Sequence, residues 1–305
     1  MIVPGSQRDN ARAGGSNVLM IVARTIAATR AAVAAGRRAG RTIGFVPTMG
    51  ALHRGHVALI EAARHDGTYV VVSIFVNPTQ FGPNEDYARY PRDEASDLRQ
   101  CEQAGVELVF MPLVDEMYRP DAVTTVHVAR LTDTLCGPCR PGHFDGVATV
   151  VLKLLNIVQP DRAYFGQKDA QQLAVIRRMA RDLDLPVEIV GCPTVREPDG
   201  LALSSRNQML APDERRRATA LYRALCAARE RICGGERDPQ VVLNAMRAII
   251  DQAGPARIEY VSVVDPDSMQ PVDRIERAVL VALAVRIGPT RLIDNLLVDP
   301  GRPTP

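Results

Sequence analysis

The architecture of this chain follows from one segment, Thr42-Ile43-Gly44-Phe45-Val46-Pro47-Thr48-Met49-Gly50-Ala51-Leu52-His53-Arg54-Gly55-His56. Its first five residues predict a strand that stops at Pro47, because proline cannot donate to a sheet ladder. A helix is expected from about Gly55 to His65. Such a strand–loop–helix unit is a common anion site, since the first N–H groups of a helix are unpaired and its dipole favours negative charge.

Within that segment, His53, Gly55 and His56 form a His-x-Gly-His motif. Histidines three positions apart can share a helix face, and glycine lets a phosphate approach the backbone closely. Imidazole donors there can stabilise charge that builds on a phosphate during transfer. The alternative is two histidines satisfied in a turn, since a four-residue motif also recurs by chance. Zinc is disfavoured, because no further ligand lies near with helical spacing.

Strands and helices are predicted to alternate on both sides of this segment. Strands are expected at 18–22, 68–76, 106–111, 162–165 and 187–192, and helices at 24–38, 93–104, 146–158 and 169–183. This order predicts an α/β fold, a Rossmann-like doubly wound parallel sheet, whose ligands bind beyond the carboxyl ends of the strands. Beyond a turn at 197–200, helices at 212–233 and 238–253 and strands at 257–264, 278–286 and 291–295 predict a smaller α+β domain.

The composition predicts a globular protein and excludes several other classes. The 305 residues are 46% hydrophobic and 24% charged, with a net charge of +2, which is incompatible with wholesale disorder and disfavours a nucleic-acid partner. No apolar run is long enough to predict a membrane helix, and no export signal is visible. We therefore expect a cytoplasmic protein. The expected domains are a disordered tail at 1–17, a Rossmann-like domain at 18–194 and a smaller domain at 195–305.

Other polar segments follow strands or turns at the same expected sheet edge. They are 77–81, 165–169 with Lys168, 200–207 with two serines and Arg206, and the helix face that carries Thr149, Lys153 and Asn156. The last three have a plain alternative, namely a capped surface turn, a solvated turn before a helix and a solvated helix face. The Cys136-Gly137-Pro138-Cys139 motif suggests redox or metal chemistry, but no strand leads into it and no helix is expected after it, so its cysteines lack the helix N-terminus that lowers a thiol pKa. Walker-type and Gly-x-Gly-x-x-Gly loops are missing from the sequence.

Taken together, these segments resemble the pantothenate synthetase (pantoate–β-alanine ligase) family, from about Val18 to Asn295. The resemblance rests on 44–56, 73–81, Tyr90-Pro91-Arg92, His143-Phe144-x-Gly146-Val147, 165–169 and Ser204-Ser205-Arg206-Asn207. It implies that ATP activates (R)-pantoate as pantoyl adenylate with release of pyrophosphate, and that the β-alanine amine then displaces AMP. It also implies Mg²⁺ on the phosphates and a homodimer.

Carried over motif by motif, the resemblance also implies residue roles. His56 and His53 would act on the phosphates with Lys168, Arg206 and Ser204, by stabilising charge rather than by covalent chemistry. Gln80 and Gln172 would bind pantoate, with Gln80 also near β-alanine, and Asp97 and Gln100 match a metal position of some members. ATP contacts are expected at Met49, Gly50, Ala51, Leu52, His53, Arg54, Gly55, His56, Gly166, Gln167, Lys168, Asp169, Val195, Leu203, Ser204, Ser205 and Arg206.

Three departures and three rival functions stand beside this hypothesis. Leu203 replaces the usual methionine, residues 1–17 have no counterpart, and the Cys136/Cys139 pair is foreign to the family. The rivals are a related adenylyltransferase with a phosphate acceptor, such as nicotinamide mononucleotide or phosphopantetheine, a nucleotide-binding module without turnover, and a redox or metal protein built on the two cysteines.

Overall fold

The computed structural model describes residues 19–83, 85 and 87–301. The predicted tail at 1–17 lies outside the described residues. The first part of the described chain contains β1 (Ile21–Ala23), α1 (Ile26–Arg38), β2 (Ile43–Thr48), α2 (Arg54–His65), β3 (Tyr69–Ile74), α3 (Glu94–Gln103), β4 (Leu108–Phe110), α4 (Val114–Met117), α5 (Cys136–Cys139), α6 (His143–Val158), β5 (Arg162–Gly166), α7 (Ala170–Asp182) and β6 (Glu188–Cys192). Short 3-10 helices lie at Pro78–Gln80, Tyr87–Arg89, Gln167–Asp169 and Ser205–Met209.

Six of these strands form one parallel sheet in the order β1-β4-β3-β2-β5-β6. The predicted Rossmann-like fold is confirmed, with the centre of the sheet at β3 and β2. Val71 and Val72 on β3 and Phe45 and Val46 on β2 have no exposed surface, as expected of strands buried on both faces. The carboxyl ends of β2, β3 and β5 therefore meet at one edge, where the predicted polar segments begin.

Strand β2 was predicted to stop at Pro47, but it runs through this residue to Thr48. The carbonyl of Thr48 accepts from the N–H of Phe75 beyond β3, so Pro47 faces the opposite neighbour, β5. Pairing between β2 and β5 reaches only Phe45. The missing N–H of Pro47 therefore costs no ladder bond, which is why proline is tolerated in a central strand here.

The C-terminal part contains α8 (Pro212–Cys233), α9 (Pro239–Gln252), β7 (Arg257–Val264), β8 (Val279–Ile287) and β9 (Thr290–Val298). The three strands form an antiparallel sheet in the order β7-β8-β9, against which α8 and α9 pack a second apolar core. In the described part of the chain, no helix is both long and apolar enough to cross a membrane.

Candidate active site

A cavity of about 230 Å³ opens at the carboxyl edge of the parallel sheet. It lies between the loop after β2, the turn after β3, the end of β5, helix α6 and the segment that follows β6. Fourteen of the predicted site residues line it: Met49, His53, Gly55, His56, Gln80, Gly166, Lys168, Asp169, Gln172, Val195, Leu203, Ser204, Ser205 and Arg206. The structure thus brings together segments that are far apart in the sequence.

The two motif histidines cap the first turn of α2 reciprocally. The N–H of Gly55 donates to Nδ1 of His53 over 3.1 Å, and the N–H of His53 donates to Nδ1 of His56 over 3.3 Å. This is the capping-box arrangement, with imidazoles in place of the usual hydroxyl and carboxylate. A side chain at position 55 would lie 2.8 Å from Cε1 of His53, so the glycine of the motif makes room for the ring.

This capping fixes the protonation of both histidines. Because Nδ1 accepts in each ring, a neutral ring carries its proton on Nε2. Burial, the neighbouring His53 and Lys168 lower the pKa of His56 to about 3, and burial and Lys168 lower the pKa of His53. The site therefore offers two neutral Nε2–H donors beside one ammonium group. A polyanion entering the cavity would raise both pKa values, because it stabilises the charged imidazoles.

The turn after β3 presents Gln80 to the cavity in one orientation. Asn77 is 1% exposed, and its Oδ1 accepts from the hydroxyl of Tyr118 over 2.8 Å. Its Nδ2 must then donate to Oε1 of Gln80, over 3.1 Å. The amide nitrogen of Gln80 is left to donate, and it lies 3.0 Å from the sulfur of Met49 on the cavity wall. Gln80 thus offers N–H groups, which suit a carboxylate or hydroxyl acceptor.

Asp97 and Gln100, the predicted metal residues, hold the loop that precedes α2. Asp97 is 2% exposed, and its two oxygens accept from the N–H groups of Ala51 and Leu52 at 3.0 and 2.8 Å. Gln100 donates to the carbonyl of Leu52 over 3.1 Å. Among the described residues, no group of three or more His, Cys, Asp and Glu side chains has metal-binding geometry. Both residues therefore hold the backbone of Ala51 and Leu52, the residues that lead into His53.

Two further loops complete the wall. Lys168 Nζ lies 3.9 Å from the carboxylate of Asp169, and the amide of Asn295 on β9 donates to the carbonyls of Gln167 and Lys168 at 3.0 and 2.8 Å. In the second loop, the hydroxyl of Ser204 accepts from the N–H of Arg206. A positively charged and hydroxyl-bearing surface therefore faces the two histidines.

Five predicted ATP contacts are not on the cavity wall. Gly50, Ala51 and Leu52 form the clamped loop behind it, and Arg54 and Gln167 also lie off the wall. Gln167 instead lines a larger cavity of about 680 Å³ between α7 and β9. That larger space lacks the histidines and Lys168, so the smaller cavity is the one whose chemistry fits phosphate transfer.

Sequence reasoning missed the apolar side of the cavity. The helical spacing of apolar residues over 146–158 predicted an amphipathic helix but gave no role in the site, yet Val147, Val150, Val151 and Leu154 all line the cavity. The polar face predicted on the same helix is not simply solvated, since Thr149 is buried and its hydroxyl accepts from the N–H of Val126.

The cysteine motif lies outside this cavity. Contrary to prediction, Cys136–Cys139 itself forms one helical turn, α5, and α6 follows closely. All six cysteines are free thiols. Cys136 is buried, with its sulfur 3.2 Å from the hydroxyl of Tyr260 and 3.3 Å from the guanidinium of Arg291. Burial raises the pKa of the exposed Cys139 thiol, which does not favour reactivity.

The family model for pantoate-beta-alanine ligase matches residues 21–297. The chain belongs to this family. The pantothenate synthetase of Moorella thermoacetica is 56% identical over 280 residues, 92% of this chain and 99% of that relative.

Solved structures agree with this family assignment. A crystal structure of pantothenate synthetase from Thermus thermophilus gives a TM-score of 0.87 at 49% identity, covering 92% of this chain and 100% of that one. The Francisella tularensis pantoate–β-alanine ligase, complexed with beta-gamma ATP and β-alanine, gives 0.74 at 35% identity, covering 91% and 97%. Like its family, this chain is an ATP-dependent ligase of pantoate and β-alanine, as the motifs predicted.

Proposed function

We propose that the 230 Å³ cavity is where this chain joins (R)-pantoate to β-alanine through pantoyl adenylate, releasing AMP and pyrophosphate. This proposal rests on one observation: two neutral imidazole donors, Lys168 and the oriented amide of Gln80 all line the same cavity. Charge develops on phosphate oxygens during adenylation, and fixed donors stabilise it without reorganising.

In the first half-reaction the pantoate carboxylate attacks the α-phosphorus of ATP. His53 and His56 donate from Nε2 to phosphate oxygens, Lys168 supplies positive charge, and Ser204 to Arg206 bind the phosphates from the facing loop. The low pKa of His56 in the free protein makes it a hydrogen-bond donor rather than a general acid. Proton donation by His56 would require a bound triphosphate, whose negative charge raises the pKa of the ring.

Pantoate binds between the amides of Gln80 and Gln172, and its apolar carbons pack on the α6 stripe. Both amides line the cavity, and the stripe supplies the apolar surface that the two methyl groups of pantoate need. The β-alanine amine approaches the adenylate carbonyl near Gln80 and expels AMP in the second half-reaction. The apolar wall shields the adenylate from water.

The cavity wall offers a carboxylate that would hold Mg²⁺ beside a bound triphosphate. Mg²⁺ is commonly held by one or two carboxylates together with substrate phosphates and water, and Asp169 is the one carboxylate among the described residues that line the cavity. This donor set fits a metal carried by ATP, and Asp169 would hold it. Held there, Mg²⁺ would supply positive charge that offsets the charge of the phosphates.

The expected organisation completes the proposal. Residues 18–194 bind ATP and pantoate, and residues 195–305 form a smaller unit whose Leu203 to Arg206 segment closes on the nucleotide as a lid. The protein acts as a homodimer in the cytoplasm, as the family resemblance implies. A lid predicts protection of 197–210 from proteolysis when ATP is added, and unchanged cleavage contradicts it.

Pyrophosphate–ATP exchange tests the proposed chemistry directly. Purified protein with Mg²⁺, ATP and pantoate, without β-alanine, is expected to exchange labelled pyrophosphate into ATP. Exchange that needs a nucleotide or phosphopantetheine instead of pantoate supports the rival adenylyltransferase. Absence of exchange with every acceptor, together with no product in the complete mixture, supports a binding module without turnover.

A further inference from the structure

The first turn of α6 packs tightly against the turn that carries Gln80. Asn77 donates to the carbonyl of Gly146 over 3.2 Å, and a side chain at Gly146 would lie 2.3 Å from the carbonyl oxygen of Thr79. One helical turn before Gly146, Nδ1 of His143 lies 2.8 Å from the carbonyl oxygen of Gln80. None of the proposed catalytic steps uses His143.

The partners of His143 settle which nitrogen carries its proton. Nη1 of Arg140 lies 2.9 Å from Nε2 of His143, and a guanidinium can only donate. Nε2 therefore accepts, and Nδ1 must carry the hydrogen that it donates to Gln80. This is the opposite tautomer from His53 and His56. Burial and the Arg140 charge lower the pKa of His143 to about 4, which keeps the ring neutral.

Arg140 is in turn held by Glu85. Nε and Nη2 of Arg140 donate to the two carboxylate oxygens of Glu85 over 2.6 and 2.5 Å, a bidentate and partly buried pair. Such pairs have a fixed geometry, which a lysine would not reproduce. A continuous chain of hydrogen bonds thus runs from Glu85 through Arg140 and His143 to the backbone of Gln80, where the His143 contact of 2.8 Å is shorter than the direct contact of 3.4 Å from Nη2 of Arg140.

We propose that His143 is a positioning residue for pantoate binding, which links the Glu85–Arg140 ion pair to the carbonyl of Gln80 and so fixes the Gln80 amide in the cavity. The inference rests on the proposed assignment of pantoate to Gln80. Asn77 orients the Gln80 side chain and His143 fixes its main chain, so each controls a different part of one residue. His143 acts on pantoate through Gln80, because its ring nitrogens bond to Arg140 and to the carbonyl of Gln80.

Kinetics of pyrophosphate exchange test this role. His143→Phe is expected to raise KM for pantoate about tenfold, the effect of losing one hydrogen bond at the site, with KM for ATP changed less than about twofold. His143→Asn keeps a donor near the position of Nδ1 and is expected to recover most of the loss. In a Gln80→Ala background, His143→Phe should add nothing further, because its effect passes through Gln80. His127→Asn, at an exposed ion pair with Asp145, is the matched control.

Three results would overturn the inference in a wild-type protein that exchanges with pantoate: an unchanged KM for pantoate in His143→Phe, an equal rise in KM for ATP, or full additivity with Gln80→Ala. Should His143→Phe fail to fold, Arg140→Met and Glu85→Gln take its place with the same expectations. Failure of wild-type exchange with pantoate is a different result, which overturns the proposed function itself.

Nitrogen-15 NMR of the five histidine rings gives a readout independent of activity. His143 is expected to show a protonated Nδ1 and a bare Nε2, while His53 and His56 show the reverse. A proton on Nε2 of His143 at neutral pH would break the chain of hydrogen bonds and contradict the inference.

Discussion

The backbone N–H of His53 donates to Nδ1 of His56 over 3.3 Å, and the two ring centroids lie 4.2 Å apart. The same contact caps helix α2 and turns Nε2 of His56 into a donor. The spacing of the motif is therefore set by the geometry of a helix start, where positions N-cap and N3 meet. Structure and chemistry depend on different nitrogens of one ring.

Because Nδ1 of His56 caps the helix and Nε2 is the donor, His56→Asn should affect activity and stability differently. The Asn carbonyl oxygen can accept from the His53 N–H, but nothing replaces the Nε2 donor. Pantoate-dependent exchange should fall by a factor of about 100 to 1,000, the usual cost of one transition-state donor. The free energy of unfolding should change by less than about 1 kcal/mol, because the cap is kept.

His65→Asn is the control for that substitution, since the His65 side chain is 93% exposed. It should leave exchange and stability unchanged. Wild-type exchange in His56→Asn would show that the Nε2 donor is not used.

Acid should destabilise the folded chain through its buried histidines. The pKa of His56 falls to about 3 and that of His143 to about 4, against an ordinary value of about 6.5 in the unfolded chain. Between these values the unfolded chain binds protons that the folded chain does not, so the free energy of unfolding decreases as pH falls below about 6.5. Each such histidine contributes a slope of up to about 1.4 kcal/mol per pH unit.

Urea unfolding at pH 7.5 and pH 5 measures this slope. His56→Asn and His143→Asn should each be less sensitive to acid than the wild type, because each removes one group that titrates only when unfolded. An equal pH dependence in all three proteins would contradict the low pKa values.

Asp97→Asn distinguishes loop support from metal binding. One oxygen that accepts from Ala51 or Leu52 becomes an NH₂ group facing an N–H donor. Such a buried unpaired donor costs about 1–3 kcal/mol, and the loosened loop should raise KM for ATP. The loss of stability should be the same with EDTA, whereas a metal site at Asp97 and Gln100 predicts a loss only when metal is present.

Glu102→Gln, at an exposed position of the same helix, is the control for Asp97→Asn. It should change neither the unfolding free energy nor KM for ATP.

Two glycines of similar backbone conformation separate strain from crowding. Gly50 and Gly67 have φ of +77° and +72°, but a side chain at Gly50 would lie 2.7 Å from Oδ2 of Asp97, whereas Gly67 has open space. Gly67→Ala should cost about 1–2 kcal/mol from the left-handed backbone alone. Gly50→Ala should cost about 1–3 kcal/mol more, because the clamp must shift. Equal losses of unfolding free energy in urea would show that Asp97 and its loop can shift at no cost.

The sequence predicted most of the elements, and its failures share one cause. Local periodicity predicted α8 at its observed bounds and α9 to within a residue. The extension of β2 through Pro47 was missed because it depends on where β5 stops pairing. Asp97 bonds to Ala51 and Leu52, and Arg140 bonds to Glu85. Each contact joins residues more than forty positions apart, and no local pattern encodes such contacts.

The same reasoning explains what could be predicted of the site. Polar segments placed after parallel strands had to meet at one edge, so His53, Lys168 and Gln80 were correctly brought together. Which backbone residues of the loop face inward was not predictable, because that depends on the conformation around Gly50. Gly50, Ala51 and Leu52 consequently turned out to support the wall rather than form it.

The amide of Asn295 has a consequence for recombination between relatives. It saturates two main-chain carbonyls beside the ammonium of Lys168, although it belongs to the last strand of the other sheet. A chimera can join the first two hundred residues of one homologue to the remainder of another. It keeps these two hydrogen bonds only if the second homologue has an asparagine at the corresponding position of β9. Crossover sites for such hybrids are therefore constrained by a single carboxamide near the end of the chain.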